Sequence, residues 1–133
     1  MILPLLDDGR VVMIRNFRYT VGRELLELPA GTREPDESPL YTAHRELEEE
    51  TGYRAQHMEP LVEFYASPGI LTERMYVFVA RGLTVSEQNL QESEKITVVT
   101  FDIPTIRKML VAGELEDGKT IAALGTFFLR GPT

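Results

Sequence analysis

The chain has 133 residues and no cysteine, which excludes disulfides, thiolate metal sites and thiol nucleophiles. A net charge of −7 argues against a nucleic-acid groove or an anionic membrane surface as partner. One domain over residues 1–133 is expected, long enough to bury about two-thirds of its unfolded surface. No apolar run approaches membrane-spanning length, and no basic stretch precedes a long apolar one near the start. A soluble, cytoplasmic protein is the resulting expectation.

In chain order, Leu3–Leu6 and Arg10–Phe17 read as strands split by a turn at Asp7-Asp8-Gly9. Arg18–Tyr19 and Leu25–Leu28 read as short strands around Val21-Gly22-Arg23. A helix is expected over Pro39–Thr51. Ser38 suits its N-cap, Pro39 its first position and Gly52 its stop. His57–Tyr65 and Arg74–Leu83 read as strands joined by a proline-containing loop. Ile96–Asp102 is a strand of β-branched character. Thr105–Ala112 and Lys119–Leu129 read as helices, with Ile106, Met109, Leu110 and Ile121, Leu124, Phe128 at helical spacing. Phe17, Phe64, Tyr65, Phe78, Phe101 and Phe127 read as core or pocket wall.

The first helix carries four glutamates within five residues, Glu46 and Glu48-Glu49-Glu50. At about 100° per residue, with Glu46 at zero, Glu50 falls at roughly +40° and Glu49 at roughly −60°, on one face. Glu48 points nearly the opposite way. Leu40, Ala43 and Leu47 form an apolar stripe beside the acidic face. The carboxylates therefore lie at the rim of a core. Like charges at this spacing destabilise a bare helix. A hard divalent cation, Mg²⁺ or Mn²⁺, bound through oxygen ligands would reverse that sign. Charge runs more often form solvated faces, so the flanking residues decide.

Gly31, Glu37, Arg45, Glu46, Leu47, Glu49, Glu50, Gly52 and Tyr53 match the pattern G-x5-E-x7-R-E-U-x-E-E-x-G-U, where U is bulky and apolar. This resembles the Nudix box, the signature of hydrolases that cleave nucleoside diphosphates linked to another group. Arg15-Asn16-Phe17-Arg18-Tyr19, Gly22 to Gly31, Ser67-Pro68-Gly69 and Asp117 to Leu124 resemble the ADP-ribose pyrophosphatase subgroup. The resemblance implies an α/β fold, an α/β/α sandwich with a mixed β-sheet. The chain begins at Met1-Ile2-Leu3-Pro4, almost directly at the catalytic domain, whereas relatives of the subgroup carry a preceding β-region. Any homodimer is therefore expected to use the catalytic domain itself, and base recognition to be loose.

The resemblance also implies roles. Glu46, Glu49 and Glu50 are the expected metal ligands, with the backbone carbonyl of Ala30 as a further one. Arg45 is expected to lock a carboxylate in place, and Glu37 to fix the loop against the helix. Glu92, in the loop before the Ile96 strand, is the candidate general base, and Glu94 a candidate metal ligand. Arg15 and Arg18 are candidate clamps for the substrate phosphates or terminal ribose. Glu27 and Glu73 are candidates for ribose hydroxyls or metal, and Pro68 is a substrate-side candidate whose alternative role is to shape its loop. His44 and His57 read as structural or solvated.

The expected function is Mg²⁺-dependent hydrolysis of ADP-ribose, or a related nucleoside diphosphate sugar, to a nucleoside monophosphate and a sugar phosphate. Two alternatives stay open: a housecleaning nucleoside triphosphate pyrophosphohydrolase, and a non-catalytic nucleotide-binding module of the same fold.

Overall fold

The structure is a computed structural model that describes residues 1–131. Its elements are β1 (Ile2–Pro4), β2 (Val11–Arg18), β3 (Arg23–Glu27), α1 (Pro39–Thr51), β4 (Tyr53–Tyr65), β5 (Arg74–Val85), β6 (Ile96–Phe101), α2 (Ile103–Val111) and α3 (Gly118–Leu129). Two three-stranded sheets result, ordered β1-β5-β4 and β3-β2-β6. The first is mixed: β1 runs parallel to β5, with Ile2 opposite Phe78, and β4 runs antiparallel to β5. The second is antiparallel throughout.

Alternation along the strands divides the core in two. Ile2, Phe78 and Ala80 share one cluster with Ala43 and Leu47 of α1. The intervening Leu3, Val77 and Val79 turn the other way, into a cluster with Val11, Met13, Ile106 of α2 and Ala123 and Leu124 of α3. Helices thus cover both faces of the mixed sheet, as the α/β/α expectation requires. Leu40 departs from the expected stripe. It is 46% exposed and lines a recess with Pro60, Leu61 and Val62, where the β4 register shifts. Tyr65 also departs from the expected wall: it is 54% exposed, with the Arg74 guanidinium 4.9 Å from its ring.

Local boundaries follow from caps and turns. Ser38 Oγ accepts the Tyr41 N–H, and Gly52 closes α1 at φ 75°. That left-handed residue turns the chain straight into β4, which starts at Tyr53 rather than at His57. Backbone pairing runs from Tyr53 opposite Val85, and Tyr53 and Ala55 pack against the cluster beneath α1. β2 runs unbroken through Arg18 because Arg18 pairs with Arg23 across a tight turn whose Gly22 has φ 67°.

A carboxylate cleft beside a cationic cleft

Four segments deliver the site: the end of β2 with its turn, the Leu28–Thr32 turn, the inner face of α1, and the loop between β5 and β6. Glu46, Glu49 and Glu50 of α1 line one cleft with Ala30, Arg45 and Glu94. Glu48, on the far side of the helix, pairs instead with Arg54. The wheel geometry is therefore realised.

Arg45 is the hub. Its Nε donates to Glu37 Oε2 at 2.7 Å and its Nη2 to Glu37 Oε1 at 2.8 Å. Its Nη1 reaches Glu46 Oε1 at 3.0 Å and Glu49 Oε2 at 3.1 Å. Glu37 also accepts from the Glu34 N–H and the Thr42 hydroxyl, so the loop and the helix start are joined through one carboxylate. The Arg45 hydrogen bonds hold the Glu37 carboxyl down at about 2.

Glu50 lives in the opposite environment. It is 4% exposed, and its carboxylate accepts the Ala30 N–H at 3.1 Å. Burial first, then the charge of Glu46, pushes its carboxyl up to about 8, with Glu94 adding to the rise. Burial also raises Glu46, against the opposing charge of Arg45. These oxygens sit close to the turn: a Cβ built on Gly31 would overlap the Glu46 carboxylate. Glycine here admits close approach of that carboxylate to the backbone.

The donor set suits a hard divalent cation. It offers several carboxylates, one of them buried without a cationic partner in hydrogen-bond contact, together with a nearby backbone carbonyl. As placed, no three acidic side chains among the described residues converge to hold an ion. Glu46 and Glu49 are drawn to Arg45, and Glu50 to the Ala30 N–H. Side-chain rotation toward the cleft is what would bring their oxygens together.

The second cleft shares Arg18, Ala30, Gly31, Thr32 and Glu46 with the first, and adds Arg33, Glu73, Arg74 and Lys119. Arg18 grips the buried Glu27 through two bonds, Nε to Oε2 at 2.8 Å and Nη2 to Oε1 at 2.6 Å. Glu27, at 2% exposure, has its carboxylate turned to Arg18. Glu73 lies 3.9 Å from Lys119 Nζ. Arg15 is elsewhere, in a recess with Glu24, Glu114 and Glu116. Pro68 is exposed in a turn closed by the Ile70 and Leu71 N–H groups on Ser67 O, and lines neither cleft. Glu92 is exposed and outside the cleft wall, while Glu94 is half-buried within it. His44 and His57 are exposed.

Sequence reasoning missed Arg33, Arg74 and Lys119 as cleft cations. It also missed Gln88 and Asn89, which bind the end of α1. Lys119 follows the Asp117 N-cap of α3, and that cap was the available signal.

Residues 1–124 match the NUDIX domain model. The chain belongs to the Nudix family. It is 39% identical over 125 residues to an ADP-ribose pyrophosphatase of Bacillus subtilis (strain 168), covering 92% of this chain and 68% of that protein. It is 38% identical over 127 residues to a GDP-mannose pyrophosphatase of Yersinia pestis (strain Pestoides F), covering 89% and 64%. A crystal structure of an ADP compounds hydrolase superposes with a TM-score of 0.88 at 25% identity, covering 98% of this chain and 71% of that one. Family and relatives place the chain among enzymes that act on phosphorus-containing anhydrides. No helix among the described residues is long and apolar enough to cross a membrane.

Proposed function

We propose that this enzyme hydrolyses the diphosphate linkage of ADP-ribose or a related nucleoside diphosphate sugar, with Mg²⁺ as the working ion and Mn²⁺ as a substitute. The products are a nucleoside monophosphate and a sugar phosphate. One observation carries the reading: the carboxylate cleft opens beside a cationic cleft, and the two share Glu46 and the Ala30–Thr32 turn. A diphosphate needs both, a cation-binding side for its charge and a basic side for its flanking oxygens.

Glu46, Glu49, Glu50, Glu94 and the Ala30 carbonyl are the groups that would hold the cation. When bound, the cation supplies charge neutralisation of the diphosphate and lowers the pKa of water. Arg45 holds Glu46 and Glu49 side by side at the cleft wall, from which their carboxylates would turn to the cation. Arg18, braced by Glu27, and Lys119 supply positive charge to the substrate's outer oxygens. Glu94 already lines the cleft. For Glu92 to serve as the general base, segment 90–94 must turn inward.

The same anchor grips any diphosphate, so discrimination between bases requires separate buried polar partners. ADP-ribose and its guanosine or sugar-swapped analogues are expected to differ in kcat/KM by less than about a hundredfold, or under about 3 kcal/mol. The test is a substrate panel with Mg²⁺. Nucleoside triphosphates turned over far better than ADP-ribose would overturn the proposal in favour of a triphosphate pyrophosphohydrolase. Tight nucleotide binding without turnover would favour a binding module.

A further inference from the structure

We propose that Gln88 is a positioning residue that holds the last turn of α1, with its Glu49 and Glu50, in register with the Glu94 segment across the cleft. The proposal rests on the reading of Glu94 as a group that helps hold the cation.

The last carbonyls of any helix lack intrahelical partners, and an uncapped last turn frays. Here that turn bears two of the site carboxylates, and the loop after β5 supplies the missing donors. Gln88 Nε2 donates to Glu50 O at 2.7 Å, and the Asn89 N–H donates to Glu49 O at 2.8 Å. The Ser86 N–H donates to Gly52 O at 2.6 Å. A Cβ on Gly52 would sit 3.2 Å from Gln88 N, so the loop is seated tightly on the helix end.

The same loop is fixed at its other end. Lys95 O accepts the Phe17 N–H at 3.1 Å, and Ile96 pairs with Asn16 of β2. Lys95 Nζ lies 5.7 Å from the ring centres of both Phe17 and Tyr19. Between the two anchorages, Glu94 Oε1 accepts the Gln91 N–H at 2.8 Å, which folds segment 91–94 into a turn. The loop is thus a strap whose near end is set by α1 and whose far end is set by β2. Gln88 makes the side-chain bond of the near end, and it bonds to the backbone of a site residue.

The experiment is calorimetric titration of Mn²⁺ alone into metal-free protein, with apo Tm measured alongside. Gln88→Met keeps length and volume but has no donor; Gln88→Asn keeps the amide but shortens its reach. Both are expected to weaken Mn²⁺ binding by about tenfold. Their apo Tm should stay within a few degrees of the parent, because Gln88 is exposed. In a Glu94→Gln background, Gln88→Met is expected to have less than about a twofold effect, since the register it sets no longer matters. Undiminished Mn²⁺ affinity in Gln88→Met, with Glu94→Gln impaired, overturns this inference alone. An equal loss in both backgrounds overturns it too, in favour of general loosening of the helix end. Undiminished affinity in Glu94→Gln removes the assignment of Glu94, and this inference with it.

Discussion

Arg45 and Glu37, eight residues apart in sequence, face each other through two parallel hydrogen bonds of 2.7 and 2.8 Å. This fork-to-fork geometry orients a guanidinium more firmly than a single contact does. It leaves Nη1 free to reach Glu46 and Glu49 together. The loop carboxylate therefore acts on the helix carboxylates through the arginine between them.

That pairing has a pH signature. The folded-state pKa of Glu37, about 2, lies below the ordinary value of 4.5. Its contribution to stability is therefore fully present above about 4.5 and is lost as pH falls toward 2. Glu37→Gln should lower Tm at pH 7, and the gap from the parent should shrink steadily across that acid window. A gap that stays constant down to pH 2 would show that the pair is not linked to folding.

Glu50→Gln separates catalysis from stability. A glutamine oxygen still accepts the Ala30 N–H, so the turn is kept. A neutral amide is a poor ligand for a hard cation, and turnover at saturating Mg²⁺ should fall by at least about two orders of magnitude. Metal-free Tm at pH 8 or above should hold or rise, because the variant no longer buries an ionised carboxylate without a cationic hydrogen-bond partner. Near-parental rates would place the metal elsewhere.

Gly31→Ala tests the close approach beneath Glu46. The added methyl displaces the Glu46 carboxylate, the flexible partner, and leaves the backbone in place. Mn²⁺ affinity should drop about tenfold, the scale of a disturbed ligand environment. The far-UV circular dichroism spectrum should not change. Binding as tight as the parent's would mean that Glu46 turns away from Gly31 in the working enzyme.

The two loop carboxylates should differ. Glu94 lines the cleft and Glu92 does not. Glu94→Gln is expected to reduce kcat/KM by about tenfold more than Glu92→Gln does. The reverse order would show that the segment turns inward during turnover.

Much of this was legible in the chain. The carboxylate face and the caps of α1 follow from helical period and local turn chemistry, both short-range properties. Ser38, Pro39 and Gly52 announce their roles because each satisfies a backbone need at its own position. Glu27 was harder. A glutamate at the end of a short strand looks like a solvent-facing residue or a ligand. Its burial depends on β2 delivering the Arg18 guanidinium opposite it. Arg15 and Arg18 looked equivalent in sequence, yet they face different recesses, because residues three apart on a strand point to opposite sides. The extra length of β4, Tyr53-Arg54-Ala55-Gln56, carries the alternation of a strand in its sequence, but the glycine stop of α1 directly before it and the pairing with β5 are what set where the strand begins.

The parallel pairing of β1 with β5 bears on the order of assembly. Ile2 lies opposite Phe78, and its N–H also donates to Pro29 O at 2.8 Å, beside the Ala30 turn. Hairpins such as β2–β3 close short loops and form early, whereas β1 must await a partner from beyond the middle of the chain. The apolar face of α1 waits on the same residues, Phe78 and Ala80. A nascent chain halted before Phe78 carries every glutamate of the acidic helix but lacks Phe78 and Ala80, the central-strand part of the core on which that helix closes.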